Sequence, residues 1–214
     1  MIKRNIATKQ RILTEALNLF SVKGYEPVTV AEIADAVGIK APSLYNHYKS
    51  KQDIFYAILA EMKTGYEKQT ASMQMDGVDA NNDEALYLSS SGDEIVQKSI
   101  ELFLYFIHDE NVRKFRKMLA IEQYGNKELA AIYAERYIDF PLSYQSAVFG
   151  LMTGAGAAIP ANPQIMALQY YAPVYMYMTL CDCQPEREPE AIKILEEHFR
   201  QFIKLYSKKG ESEL

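Results

Sequence analysis

A long segment without charged side chains constrains the fold of this chain most. From residue 140 to residue 181, 42 consecutive positions lack Asp, Glu, Lys and Arg. Such a segment must be largely hidden from water, but a helix that spans a membrane needs about 20 uninterrupted apolar residues. Glycines and prolines interrupt the segment, among them Gly150, Gly154, Pro160 and Pro173. We therefore expect it to be buried in a protein core, around a ligand or in a subunit interface.

Apolar residues elsewhere recur mainly at helical spacing, and no run alternates with period two for long enough to form a sheet. Helices are predicted over residues 8–23, 50–75, 93–108, 111–124, 127–137, 141–153, 162–181 and 188–206. The polar stretch from Asp76 to Gly92 predicts a loop or linker. A calcium loop is rejected there, because Glu84 stands where Gly is needed and Ser90 where Glu is needed. The sequence predicts an all-α fold.

Two further short helices are predicted close to the N-terminus, with a glycine between them. Thr29 and Glu32 have the spacing of a capping box, in which each side chain accepts a hydrogen bond from the other residue's backbone. Gly38 ends this first helix, and Pro42 is tolerated in the first turn of the second, predicted over residues 41–48. Two short helices joined by a turn with glycine are typical of a helix-turn-helix motif.

The charge of the chain is unevenly distributed. The whole chain carries 23 basic and 28 acidic residues, a formal net charge of −5. The first 51 residues hold eight basic and four acidic side chains, a balance of +4, and the rest have a balance of −9. A basic N-terminal part on an acidic body is typical of a phosphate-binding module attached to a module that does not bind nucleic acid. Chance segregation of surface charge is the alternative.

The second short helix and the residues after it carry the candidate DNA contacts. Their side chains can form hydrogen bonds with base edges or phosphates. Taken singly, each has an ordinary explanation as a surface histidine or a solvated lysine. The set comprises Lys40, Ser43, Tyr45, Asn46, His47, Lys49 and Lys51.

The N-terminal part carries a set of short motifs in a fixed register, which covers about a quarter of the chain. The motifs are Ala16–Phe20, Lys23–Tyr25, Thr29–Ala34, Val37–Gly38, Leu44–Lys51 and Ile54–Phe55. In these segments the chain resembles the TetR family of bacterial transcription regulators. Tyr48 departs from the commoner phenylalanine and keeps an aromatic core anchor. The resemblance implies a DNA-binding domain over residues 1–50 and a larger helical ligand-binding and dimerisation domain over residues 51–214.

The resemblance also implies a homodimer, a palindromic operator and a small-molecule pocket in the body. By the same likeness, Thr29, Tyr45, His47 and Lys51 match positions that contact DNA or lie near phosphate. Lys40, Ser43 and Asn46 match positions whose identity varies with the operator. Leu44 and Tyr48 are interpreted as core residues.

The last predicted helix carries a heptad-like apolar seam, which needs a partner helix in the same subunit or across a dimer axis. We expect it to form a dimer interface together with the helix over residues 162–181. The predicted interface residues are Ile192, Leu195, Phe199 and Phe202.

A cavity lined by aromatic residues and methionines is predicted in the body. Pockets of this composition bind mostly apolar small molecules, and for any single residue core packing is the competing interpretation. The candidates are Phe103, Phe106, Met118, Tyr144, Phe149, Met152, Tyr171, Tyr175 and Met178.

Catalysis finds little support in the sequence. The three histidines form no H-E-x-x-H pair, and Cys181 and Cys183 offer at most two metal ligands. We predict no enzyme activity, cofactor or metal, a cytoplasmic location and no membrane association. Two alternatives stay open: a helical enzyme with an incidental helix-turn-helix, and a structural interaction module. The sequence favours a repressor released from its operator by a small hydrophobic molecule.

Overall fold

The computed structural model describes the backbone of residues 2–208 and the side chains from residue 6 onward. Within this range, eleven α-helices follow one another, and the only extended pairing is an isolated bridge between Ala158 and Ser207. The predicted all-α fold is confirmed. The helices are α1 (Ile2–Lys23), α2 (Val30–Val37), α3 (Ala41–Tyr45), α4 (Lys51–Ser72), α5 (Ala80–Ser89), α6 (Gly92–His108), α7 (Glu110–Glu122), α8 (Lys127–Ala134), α9 (Phe140–Gly154), α10 (Pro163–Cys183) and α11 (Glu188–Tyr206).

The segment without charged residues forms α9 and most of α10. None of the helices in the described part of the chain is both long enough and apolar enough to span a bilayer.

The chain divides into two compact units, each made of two stretches of sequence. Unit 1 comprises residues up to 66 together with residues 110–133, and unit 2 comprises residues 67–109 together with residues from 134 onward. Packing thus groups α7 and most of α8 with the N-terminal helices. The functional division between residues 50 and 51 is drawn on other grounds and stays a prediction.

Unit 1 has a core of side chains from α1, α2, α4 and α7. Phe20, Phe55 and Phe115 are fully buried in it, and the Phe55 ring stacks on Phe115 with 5.9 Å between the ring centroids. Leu44 of α3 is likewise fully buried, as the sequence predicts. These aromatic side chains tie α1 and α4 to α7.

Unit 2 is built from the end of α4, α5, α6 and α9–α11. Its centre is an aromatic cluster in which the Tyr170 ring lies 4.9 Å from Phe199 and 5.1 Å from Phe202, measured between centroids. Phe149 contacts both Tyr170 and Phe202. The cluster joins α9, α10 and α11 within one chain.

This cluster corrects the predicted dimer interface. Leu195, Phe199 and Phe202 are buried inside unit 2, because the seam of α11 packs against α10 and α9 of the same chain. Ile192 is only half-buried. The seam needs a partner helix, as expected, and finds it within the subunit.

The prediction of a loop or linker between Asp76 and Gly92 is wrong, because this stretch contains α5. Asp79 caps the helix by accepting a hydrogen bond from Asn81 N at 3.0 Å. Asp83 turns inward, where only 2% of it is exposed, and accepts from Gly77 N at 2.7 Å and from the Tyr144 hydroxyl at 2.6 Å. A polar residue thus occupies the buried face, so apolar periodicity could not reveal the helix.

A short π-helical turn, Glu135–Asp139, joins α8 to α9. Pro141 follows it and has no N–H to donate to the carbonyl of Tyr137, four residues earlier. The Tyr171 hydroxyl from α10 donates to that carbonyl at 2.8 Å. A side chain thus supplies a donor that the backbone lacks at this point.

Candidate nucleic-acid interface

Local sequence signals position the two helices of the motif. Thr29 caps α2: its hydroxyl accepts from Glu32 N at 3.2 Å, and the Glu32 carboxylate accepts from Thr29 N at 2.8 Å. Gly38 ends the helix in the left-handed region at φ +73. The predicted capping box and glycine stop are both confirmed. Thr29 is therefore engaged in capping, although its side chain lies at the surface.

The capping carboxylate is also paired with a cation. Lys23 Nζ donates to Glu32 Oε1 at 2.8 Å. This hydrogen bond, followed by those from Thr29, lowers the pKa of Glu32 to about 2. Glu32 is therefore a carboxylate at neutral pH, and both of its oxygens act as hydrogen-bond acceptors here.

The second helix of the motif, α3, is shorter than predicted. It ends at Tyr45 instead of Tyr48, and residues 46 and 47 form a turn in which His47 N donates to Leu44 O at 2.8 Å. Lys40, Ser43, Tyr45, Asn46 and Lys49 are all exposed. The structure thus brings five predicted contact residues to the surface within ten positions of sequence.

His47 and Tyr48 are less accessible than their neighbours. The His47 ring is half-buried, and its Nδ1 is buried without a hydrogen-bond partner among the described residues. Any contact of His47 with DNA therefore falls to Nε2. Tyr48 is also half-buried, and burial, followed by the charge of Glu61, raises the pKa of its phenol. Its interpretation as a core anchor agrees with this placement.

Lys51 differs from the other lysines of the predicted set. Its ammonium donates to Tyr25 O at 2.9 Å and to Glu26 O at 3.0 Å, and it lies 4.3 Å from the centroid of the Tyr25 ring. Two of its three N–H groups are thus used inside unit 1. Lys51 therefore also holds the loop between α1 and α2, and its contact with DNA stays a prediction.

The predicted effector-binding residues fall into separate groups. Met118 is fully buried in unit 1, whereas the others belong to unit 2. Tyr144 donates its hydroxyl to Asp83, and Tyr171 donates to the Tyr137 carbonyl. The remaining candidates are divided between α6 (Phe103 and Phe106), α9 (Phe149 and Met152) and α10 (Tyr175 and Met178).

Three of these remaining candidates have packing partners within the core. Phe149 belongs to the aromatic cluster around Tyr170. Met152 packs beside Tyr144, and Phe106 meets the Tyr137 ring edge-on at 6.5 Å between centroids. Both tyrosine hydroxyls already have protein acceptors, and these aromatic contacts serve packing in the structure. Their effector-binding role stays a prediction.

Two polar residues with structural roles were not found from the sequence. Arg11 Nη2 donates to Val37 O at 2.6 Å and so ties α1 to the end of α2. Glu122, whose role the sequence leaves open, is buried and accepts from the backbone of Tyr25 and Glu26. Neither has a local sequence signal, because each partner lies 26 or more positions away. In the described part of the chain, no three His, Cys, Asp or Glu side chains are grouped to hold a metal ion.

Comparison with known proteins agrees with the arrangement of the motif. Residues 12–58 match the family model of bacterial regulatory proteins of the tetR family. This match covers the second half of α1, all of α2 and α3, and the start of α4. This N-terminal part of the chain is therefore similar to the TetR family.

One relative matches a longer segment of the chain than the family model does. The chain is 30% identical over 76 residues to the HTH-type transcriptional regulator YdgC of Bacillus subtilis, which covers 36% of this chain and 39% of that protein. The chain therefore matches well under half the length of this relative. This relative is described as a transcriptional regulator.

Solved structures of TetR-family proteins share the fold over nearly the whole chain. A protein assigned to the family from Mesorhizobium loti gives a TM-score of 0.69 at 16% identity, covering 95% of this chain and 98% of that one. SmeT, the repressor of the Stenotrophomonas maltophilia multidrug efflux pump SmeDEF, gives 0.67 at 19% identity in its triclosan complex. That comparison covers 95% of this chain and 93% of SmeT. At these identities the likeness concerns the fold.

Proposed function

We propose that this chain is a TetR-family repressor that binds a palindromic operator as a homodimer and releases it when a small apolar molecule binds. The observation that carries the proposal is the exposed polar set of Lys40, Ser43, Tyr45, Asn46 and Lys49 on a capped helix-turn-helix. A gel-shift assay against the DNA that flanks the chain's own gene tests it directly. An enzyme or a purely structural module would not retard that DNA in preference to random DNA.

Substitutions at two exposed residues distinguish contacts with base edges from contacts with phosphates. Asn46→Ala should relax discrimination at one base position by about 1–3 kcal/mol, because an amide can bond bidentately to a base edge. Lys49→Ala should weaken binding to all sequences and reduce the slope of log K against log salt by about one. Equilibrium binding to operator and random duplexes at several salt concentrations measures both. Identical behaviour of the two variants would contradict this docking of α3.

Dimerisation is proposed to use the outer face of α10. Ile165, Leu168 and Met176 are each about half exposed, on a helix that contains no Lys, Arg or Glu. Together with exposed Ile194 and Leu205 of α11 they provide apolar area that a two-fold interface would bury. A dimer also supplies the two heads that a palindrome requires.

Leu168→Glu should therefore convert the dimer to a monomer, because the charge would have to be desolvated in the interface. Sedimentation velocity measures this, and circular dichroism checks that the helices remain. Val22→Glu is the matched control, since Val22 is an exposed apolar residue of α1 in unit 1. If the Leu168→Glu chain still sediments as a dimer, the dimer interface does not include this face of α10.

The effector is proposed to be an apolar, partly aromatic molecule that binds in unit 2. The aromatic side chains of α6, α9 and α10 support this, and SmeT, which shares the fold, has been solved with triclosan. A ligand can release DNA only if it prefers the arrangement that does not bind DNA, so the coupling is reciprocal and amounts to about 1–3 kcal/mol. Titration of triclosan and related compounds with and without operator tests it. Compounds that bind equally well in both conditions are not effectors.

A further inference from the structure

Glu122, the last residue of α7, has a buried carboxylate that is used entirely within unit 1. Only 8% of the residue is exposed, and Oε1 accepts from Tyr25 N at 2.6 Å and from Glu26 N at 3.3 Å. These two peptide groups belong to the loop that connects α1 to α2. The carboxylate thus binds the loop through its backbone donors.

Gly24 leaves the room that this carboxylate needs. It has a φ of +84, and a Cβ built on it would lie 2.5 Å from Glu122 Oε1. Only glycine adopts this backbone region without steric cost, and here it also allows the close approach of an acidic side chain. The absence of a Cβ at Gly24 therefore allows the Glu122 carboxylate to approach the loop closely.

Two further side chains hold the same loop. Lys51 Nζ donates to the carbonyls of Tyr25 and Glu26. The backbone N–H groups of these two residues thus bind Glu122, and their C=O groups bind Lys51. Asn126 Nδ2 donates to the Glu26 carboxylate at 2.8 Å. The loop continues through buried Val28 to Thr29, the cap of α2. Its position therefore determines where α2 starts.

We propose that Glu122 is a positioning residue for operator binding, which fixes the α1–α2 loop and, through it, the α2–α3 pair. The proposal rests on the function proposed above. Specific binding requires base contacts within a narrow geometry, whereas non-specific binding depends mainly on the number of cations near phosphates. A looser α1–α2 loop would disturb the narrow geometry that base contacts require. It would not remove Lys40 and Lys49, the cations on which non-specific binding depends.

The test compares Glu122→Ala and Glu122→Gln with Glu110→Gln. The control removes the same charge at an exposed position of the same helix, where Glu110 forms a surface ion pair with Lys114. Affinity for the operator and for a random duplex is measured at one salt concentration, well below the melting temperature of each variant. We expect Glu122→Ala to lower operator affinity at least about tenfold, because hydrogen bonds to a charged acceptor are lost. Affinity for random DNA and its salt slope should not change.

Glu122→Gln should recover part of the operator affinity, since its amide oxygen can still accept from Tyr25 N. This variant decides the question if Glu122→Ala does not fold. Combined with Lys51→Ala, its effect should be non-additive, because Glu122 and Lys51 both hold the backbone of Tyr25 and Glu26. Unchanged operator affinity in a folded Glu122 variant, or an equal loss on both DNAs, would overturn the proposal. A wild-type chain without operator preference would instead refute the proposed function.

Discussion

Replacing Phe199 by alanine is expected to lower the free energy of unfolding by about 3–5 kcal/mol, the usual cost of removing a buried aromatic ring. Phe199 is 1% exposed and lies 4.9 Å from the Tyr170 ring, measured between centroids. Removing the ring would leave a cavity between α10 and α11 that these helices cannot fully close. Urea unfolding followed by circular dichroism measures the change.

Glu196→Ala is the control, because Glu196 is exposed on the same helix three residues earlier. Its effect should stay within about 0.5 kcal/mol. The same measurement shows whether Phe199 stabilises the core of unit 2 or an interface between two subunits. A Phe199→Ala chain with unchanged stability as a monomer but a weakened dimer would show that the seam of α11 faces a second subunit.

Replacing Asp83 by alanine is expected to cost about 3–5 kcal/mol in the free energy of unfolding. Its carboxylate accepts from Asp76 N, Gly77 N and the Tyr144 hydroxyl, all within 2.7 Å. Removing the acceptor leaves these donors buried or half-buried without it, and each hydrogen bond to a charged group contributes about 1.5–3 kcal/mol. The expected total is less than the sum, since the loop before α5 can relax.

The matched control is Glu84→Ala, one residue further along α5. Glu84 is half-exposed, and its removal should change stability by about 0.5 kcal/mol or less. Tyr144→Phe tests the same network from the other side. Burial raises the pKa of Tyr144, with Tyr87 and Asp83 adding to it, so the phenol stays protonated and donates. If Asp83→Ala and Glu84→Ala have equal effects, the network does not stabilise the loop.

The parts of the structure that the sequence predicted correctly depend on short spacings. A capping box spans three residues, and a glycine in the left-handed region ends a helix at its own position. Both signals gave α2 and the start of α3, as Thr29, Glu32 and Gly38 confirm. The exposed set from Lys40 to Lys49 follows from the same local pattern. The matched family segment covers the same region.

What the sequence could not supply was the identity of distant partners. The seam of α11 showed which face is apolar, but not that Tyr170 and Phe149 of the same chain cover it. The charge of Lys51 suggested a phosphate, whereas its partners are carbonyls 25 and 26 positions earlier. Asp83 concealed α5 because a carboxylate occupies its buried face. Each of these contacts joins residues that only the folded chain brings together.

The discontinuity of unit 1 has a consequence for the synthesis of the protein. The peptide of Tyr25 and the carboxylate that accepts its hydrogen are 97 positions apart. At about 5–20 residues per second, a ribosome adds Glu122 about 5 to 20 s after Tyr25. For most of that interval the nascent N-terminal helices lack the side chain of Phe115, against which Phe55 packs in the finished protein. The helices that carry the candidate DNA contacts are therefore synthesised well before the residues of α7 that complete their packing, and unit 1 can finish folding only after α7 has been translated.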